Sequence, residues 1–383
     1  MEAPKIKMLL IDERVASHPQ TTSIVQRLMD VETYVIPVQD FPKYQNQLTL
    51  TQGKKVLFLT RHEGEAVKPC PATSSPYLCC QYTVISQIHQ CPFDCTYCIL
   101  QNYLESNIMT VFVNLEDIFS QIEHILRKHP NRFFRFGTGE FGDSLALESI
   151  IKTAPDLVEF FKQQSQCLIE LKTKSNEIDH LLKLNPKNTV LSWSMNPPIV
   201  TSREEFRAAT LEERLTAAQK AMDAGYLLAF HFDPLLSFTG WEVAYRFVVE
   251  SILDKIDTKR IAWISFGTLR FPPNLKRIVQ TRFPKSKIVY EEMISGMDGK
   301  MRYLKPIRLK MYQTIIPWFR EADHDLFLYF CMESSEIWER VMGKAPESNA
   351  ELDYWFAKSL YQRFPDLAIR KPRKEAYEDL TLF

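Results

Sequence analysis

Apolar residues in this chain fall into short runs separated by amphipathic stretches, and that alternation is the main guide to its fold. Ile6 to Ile11, Thr33 to Val38 and Lys55 to Thr60 read as strands, with a helical stretch near Thr22 to Met29 after the first. They predict a small N-terminal α/β segment over residues 1–75. Its last part, Arg61 to Ser75 with prolines at 69 and 71, reads as a linker. From Tyr77 onwards strand and helix patterns alternate, with apolar strands ending near Ile88, Phe136, Leu171, Trp193, Phe232 and Phe266. The clearest helix carries Leu211, Leu215, Ala218 and Met222. A capping box, Thr210-x-x-Glu213, opens it and Gly225 closes it. Six strand-then-helix repeats imply a parallel sheet with right-handed crossovers, either a partial barrel or a doubly wound sheet. After Tyr312 the chain turns helical and aromatic, through Trp318, Phe319, Phe327 to Phe330 and Trp338, as a packed C-terminal cap would. Arg370 to Asp379 reads as a solvated tail.

In a barrel, chemistry collects at the carboxyl ends of the strands, so the informative residues should lie just after each apolar run. The first run is followed by Cys91-Pro92-Phe93-Asp94-Cys95-Thr96-Tyr97-Cys98. Three thiols at Cys-x3-Cys-x2-Cys spacing can hold three corners of a 4Fe-4S cube, leaving one iron with an open coordination position. A zinc site using His89 as a fourth ligand is the plainer alternative, although zinc loops more often use Cys-x2-Cys pairs. The second run leads into Gly137-Thr138-Gly139-Glu140-Phe141-Gly142-Asp143-Ser144, where glycines permit close backbone approach and Asp143 or Ser144 can cap a turn. The third delivers Lys172 and Lys174. The fourth carries Ser192, Ser194 and Asn196 on one face, suited to ribose hydroxyls or to a polar plug. His231 and Asp233 share a face of the fifth strand, which Pro234 ends.

Composition narrows the class only a little. The 383 residues are 45% hydrophobic and 25% charged with a formal net charge of zero, which argues against a strongly basic polyanion binder but leaves room for a local basic groove. No apolar run reaches membrane-span length and the N-terminus lacks the order of a secretory signal, so a cytoplasmic protein is expected. Eight cysteines, three of them tightly grouped, fit free thiols in such a compartment; Cys79-Cys80 suits a buried apolar role.

The cysteine loop, with an aromatic just before its last thiol, resembles the signature of the radical S-adenosylmethionine (SAM) enzymes, and the stretch from Gly137 resembles their Gly-Gly-Glu motif. A closer likeness joins the loop and its lead-in to His231-Phe232-Asp233-Pro234-Leu235 with Gly240-Trp241, and to Asp298-Gly299-Lys300 with Arg302-Tyr303: together these resemble the spore photoproduct lyase family. The resemblance implies a partial (β/α)6 TIM-type barrel over 76–295 and a C-terminal hairpin and helical cap over 296–383. It implies a 4Fe-4S cluster on Cys91, Cys95 and Cys98, and SAM held by Tyr97, Gly137, Gly139, Glu140, Lys174, Ser194, Asn196 and His231. Tyr97 and Glu140 would also be catalytic, and Arg302 and Tyr303 would lie in a hairpin that enters lesion-containing DNA. An electron donor such as flavodoxin or ferredoxin would serve the cluster. The reaction it implies is repair of a thymine dimer by an adenosyl radical.

The chain departs from that family where the chemistry is most particular. A cysteine near the end of the second strand donates hydrogen in the lyases, whereas Gly139-Glu140-Phe141-Gly142 has no thiol; a tyrosine after the third cluster cysteine is here Ile99. The substrate is therefore a thymine dimer or related lesion in DNA, or else RNA, a free metabolite or a protein side chain. Two basic stretches interleaved with aromatics, Arg270 to Lys287 and Lys300 to Tyr312, suit phosphates and unpaired bases, or a solvated surface.

Overall fold

Seven parallel strands, in the order in which the chain makes them, form the main sheet: Thr83–Ile85, Phe134–Gly137, Cys167–Thr173, Thr189–Ser194, Leu227–Leu235, Ile261–Thr268 and Leu328–Phe330. This is a computed structural model, and it describes residues 4–71 and 76–378. The sheet curls into a partial TIM-type barrel with helices covering its outer side. Its strands read as continuous apolar runs because both faces are buried. The covering helices present one apolar stripe each. Leu115–Lys128, for example, buries Leu115, Ile118, Ile122, Ile125 and Leu126, a 3.6-residue pattern. The helix Leu211–Asp223 has both halves of its capping box. It closes with Gly225 at φ +92°, where the Tyr226 N–H reaches the Ala221 carbonyl at 3.0 Å.

The N-terminal segment is a second α/β sheet, in the order Glu32–Ile36, Met8–Asp12, Val56–Thr60, Met109–Phe112 and Ile88–His89. Its last two strands come from beyond residue 75, on either side of the cysteine loop. The apolar run Tyr77 to Ile88 therefore does not make one strand. Ile85 ends the barrel strand, and Ile88 pairs antiparallel with Val111 in the other sheet. Both halves are buried, in two different cores, so hydropathy runs on unbroken across the junction.

Three other expectations differ in detail. The stretch taken as a linker contains an edge strand, Val67–Pro69, antiparallel to Thr83–Ile85; proline is tolerated at its end because no further strand pairs there. Its residues 72–75, like Asp379 of the tail, lie outside the described residues. The aromatic run in the expected helical cap forms the seventh barrel strand, Leu328–Phe330, since Leu, Tyr and Phe between two packed layers favour extended backbone. The fifth strand continues through Pro234 to Leu235, with a register irregularity that removes the need for a proline N–H. The hairpin is present, Met293–Ser295 against Met301–Tyr303, with Arg270–Phe271 as a third short strand. It straddles residue 295. Among the described residues no helix is long and apolar enough to cross a membrane.

The C-terminal helix Asn349–Arg363 is locked to the barrel by Asp353, whose carboxylate accepts from Arg132 at 2.8 Å and Arg135 at 3.2 Å. All three side chains are buried, and Arg135 also lies 3.5 Å over the Phe356 ring. Substitution D353A leaves two buried guanidinium groups without a counter-charge and is expected to destabilise the fold by about 3–5 kcal/mol, read by chemical denaturation. A loss below about 1 kcal/mol would be a surface-pair value and would contradict this account.

Candidate active site at the carboxyl ends of the barrel strands

The loop from Cys91 to Cys98 is short, has regular structure only at Asp94–Cys95 and is fixed by partners from several chain-distant elements. Gln90, at φ +68°, donates its backbone N–H to the Phe141 carbonyl at 2.9 Å, joining the cysteine loop to the glycine-rich loop. Asp94–Cys95 pairs antiparallel with Glu205–Phe206, placing Glu205 directly across from Cys95. The Asp94 carboxylate faces Arg282 at 2.9 Å and Lys54 at 3.4 Å. Arg207 donates to the Pro92 carbonyl at 3.2 Å, and Gln101 to the carbonyls of Cys95 and Thr96 at 3.2 and 2.9 Å.

Cys91, Cys95 and Cys98 line one cavity of about 280 Å³ at the carboxyl ends of the barrel strands, together with Tyr97, Gly137, Gly139, Glu140, Lys174, Ser194 and His231. Chain-distant elements thus bring together most of the predicted site. Gly139 is there for packing: a Cβ would lie 2.9 Å from the Lys172 Cβ, so the glycine-rich loop sits flush against the third strand. Asp143 fastens that loop, accepting from the backbone N–H groups of Leu145 and Ala146 at 3.0 and 2.9 Å and of Lys174 at 2.7 Å. The capping role expected for it coexists with a place in the cavity wall. Glu140 accepts from the Tyr82 hydroxyl at 3.1 Å, and the Lys174 ammonium lies 5.7 Å from the Tyr97 ring centre.

Several expected residues are placed differently. His231 pairs with Glu170 at 2.6 Å, while Asp233 pairs with Arg270 at 3.0 and 3.2 Å. Asn196 is turned away from the cavity. Its amide donates to Glu205 at 2.9 Å and its oxygen accepts from the Tyr245 hydroxyl at 2.8 Å, so of the three polar residues on that strand Ser194 alone faces the cavity. Arg302 and Tyr303 are only 2% and 1% exposed. Arg302 is held by Asp298 at 2.6 Å and the Met332 carbonyl at 3.1 Å, with the Tyr77 ring against it, so its guanidinium is already occupied within the fold. The exposed part of that hairpin is Met297, at 72%, with Ile294. Most of the second basic stretch is internally paired, Arg308 with Glu333, Lys305 with Glu336 and Lys310 with Glu242. Of the first, Lys276, Arg277, Lys285 and Lys287 remain exposed.

Sequence reasoning gave no place in this site to Glu170, Lys172, Arg270 or Glu205. The first two were legible: Glu170, Lys172 and Lys174 recur every second residue in an otherwise apolar strand, which puts all three on one face. Glu205 gave no such signal, because Arg203-Glu204-Glu205 reads as a solvated charge run. In the fold it is buried and shared by the Tyr97 hydroxyl, Asn196 and Arg214. Burial opposes its ionisation, but Arg214 and Lys174 outweigh that and hold its carboxyl at about 2. Glu170 is likewise buried and held at about 2 by His231. Burial pushes the Cys95 thiol up to about 12 against the pull of Lys174 and Lys54, so ligation there must release a proton.

The donor set suits a cube. It consists of soft thiols at three loop positions, with cations at Lys54 and Lys174 nearby. Among the described residues no three His, Cys, Asp or Glu side chains are grouped to hold a single metal ion. His89, the fourth ligand a zinc site would have used, is bound to the Ser86 hydroxyl at 2.7 Å and packed between Phe112 and Phe141, and burial lowers it to about 4.

A curled parallel half-barrel with a three-cysteine loop over its carboxyl rim defines the class of this protein. The profile of the spore photoproduct lyase family matches residues 73–313, and the chain belongs to that family. It is 30% identical over 207 residues to the spore photoproduct lyase of Bacillus subtilis (strain 168) and 29% to that of Geobacillus sp. (strain Y412MC61). Each match covers 53% of this chain and 60% of the relative, so the chain spans less than two thirds of the curated relatives' length. Among solved structures, a spore photoproduct lyase variant with dinucleoside spore photoproduct superposes with a TM-score of 0.75 at 20% identity, covering 86% of this chain and all of that one. A variant with bound AdoMet and dinucleoside spore photoproduct gives 0.74 at 20% identity over 85% and 98%.

Because Glu205 and Glu170 are depressed, the stability they contribute is complete above the ordinary carboxyl value of 4.5 and is lost as pH falls towards about 2. Each should cost about 2 kcal/mol between pH 5 and pH 3. E205Q is expected to be less stable than the unaltered protein at pH 7 yet to lose less over that acid interval, measured by urea denaturation at each pH. Parallel acid profiles for the two proteins would contradict this assignment.

Proposed function

We propose that this chain is a radical SAM enzyme of the lyase type, acting on a thymine dimer or related lesion in DNA. The observation that carries the reading is the convergence of Cys91, Cys95 and Cys98 on the same cavity as Glu140, Lys174 and His231. Family membership and the fold shared with AdoMet-bound lyase structures support it. A 4Fe-4S cluster held by the three thiols would supply an electron, from a carrier such as flavodoxin or ferredoxin, to cleave SAM and give a 5′-deoxyadenosyl radical.

This chain's own residues have the remaining tasks. Glu140 offers a carboxylate for an ammonium group and Lys174 an ammonium for a carboxylate, the two ends of a methionyl moiety. Ser194 offers a hydroxyl to a ribose. Tyr97, locked by Glu205, forms a rigid wall beside the cysteines. Exposed Lys276, Arg277, Lys285 and Lys287 supply phosphate contacts. The exposed Met297 at the hairpin tip, in place of the buried Arg302 and Tyr303, is the group shaped to wedge between bases.

The test is anaerobic reconstitution with iron and sulfide, then incubation with reductant, SAM and dimer-containing DNA. Brown protein, 5′-deoxyadenosine and restored thymine are expected; each of C91A, C95A and C98A should abolish the first two. Cofactor cleavage without restored thymine would reject the lesion and favour another substrate class. Colourless wild-type protein would reject the cluster. The double reversal K285E/K287E should weaken DNA binding and flatten the plot of log affinity against log salt by about 2, since two phosphate contacts are lost. An unchanged slope would remove this face from the DNA path.

A further inference from the structure

Seven of the chain's eight cysteines line the cavity described above, and only Cys167 lies outside it. Three belong to the loop. The other four, Cys70, Cys79, Cys80 and Cys331, come from the lead-in to the first barrel strand and from the end of the seventh strand. A carbon radical left on a substrate after bond cleavage needs a hydrogen atom, and a thiol S–H is the weakest X–H bond a side chain offers. Glu140, at the end of the second strand, has none. The hydroxyls of Tyr82 and Tyr97 are already given to Glu140 and Glu205.

We propose that Cys331 is the hydrogen-atom donor of this enzyme, reaching the substrate radical from the carboxyl end of the seventh strand, in the wall of the cavity that the cysteine loop also lines. The assignment rests on the radical SAM reading above. Cys331 follows the strand Leu328–Phe330 at its carboxyl end and is half-buried, whereas Cys70, Cys79 and Cys80 are almost fully covered. Its sulfur accepts from the Arg270 guanidinium at 3.3 Å, and Arg270 is itself fixed by two bonds to Asp233. The sulfur accepts in that bond, so its own hydrogen is not spent on Arg270. Burial holds the thiol well above its ordinary value, though Arg270 opposes this, and the group stays S–H at neutral pH.

The transfer balances as one radical in and one radical out. The S–H bond of Cys331 breaks, a C–H bond forms on the substrate, and a thiyl remains. The thiyl would return to S–H by taking one electron from the reduced carrier that serves the cluster and one proton from solvent, so that the S–H bond is remade with the charge in balance.

Turnover in D2O, where thiols exchange, tests the assignment. The unaltered protein should place solvent deuterium in the restored thymine. C331S, close to isosteric, should still form 5′-deoxyadenosine but lose solvent deuterium from the product by about tenfold or more, the pattern of a step whose donor alone has been removed. A second readout needs no cofactor: alkylation of Cys331 in the metal-free protein, followed by mass spectrometry, should be suppressed by dinucleoside spore photoproduct. Deuterium retained in C331S but lost in C80A or C79A would overturn the choice of thiol, as would labelling indifferent to the dinucleoside. Absence of 5′-deoxyadenosine from the unaltered protein would instead bring down the cofactor reading on which the assignment stands.

Discussion

The site depends on one buried carboxylate. Glu205 sits opposite Cys95 in a two-residue bridge and receives bonds from Tyr97, Asn196 and Arg214. A charge buried to this depth is tolerated only when its lone pairs are satisfied and a counter-charge is at hand. Arg214 supplies that charge and spends its other donors on the carbonyls of Ala209 and Ser194. The cysteine loop, the fourth barrel strand and the start of the Leu211–Asp223 helix therefore share one electrostatic knot. None of the three can shift without stranding a charge, so a loop with little regular structure keeps a defined shape in the cavity wall.

A second ionic layer lies above it, made of pairs that cross between strands. Glu170 with His231 links the third strand to the fifth, and Asp233 with Arg270 links the fifth to the segment after the sixth. Ser194, His231, Ser265 and Tyr329 are in register on successive strands, so the cavity floor is a row of polar groups set by sheet geometry. Pairing of this kind keeps the cavity polar and rigid before any ligand arrives, which is what preorganisation requires. It also explains why Lys172, half-buried among carboxylates, stays charged: burial would lower it, but Glu140, Glu170 and Asp233 hold it above its ordinary value.

Much of this was legible in the sequence, and the divide follows a physical line. Strand periodicity located five of the central barrel strands because each is buried on both faces, and it ran the first on into a strand of the other sheet. The capping box and Gly225 marked one helix end to end, since caps are local chemistry. The cysteine spacing announced the loop. What stayed hidden depends on distant partners. No local pattern says that Glu205 is buried while its neighbour Arg203 is exposed, or that His231 prefers Glu170 to the carboxylate two residues away. Arg302 and Tyr303 looked like a solvent-facing pair because the sequence does not show Asp298 and Tyr77 closing over the arginine. The seventh strand was taken for helix because aromatic residues at close spacing satisfy either period over so short a run.

The distribution of thiols bears on where, in the proposed reaction, a hydrogen donor can stand on this fold. A hydrogen donor has to present S–H to one point in space, and a barrel offers that point to the carboxyl end of every strand. Under the proposed assignment the thiol stands at the carboxyl end of the seventh strand, in a different part of the wall of the same cavity. At the end of the second strand stands Glu140, tied to Tyr82. At Cys331, Arg270 provides a hydrogen bond to sulfur from an ion pair that the fold already needs for Asp233. Because the supporting groups are shared with the structural ionic layer, a donor at Cys331, as proposed, demands no additional buried charge.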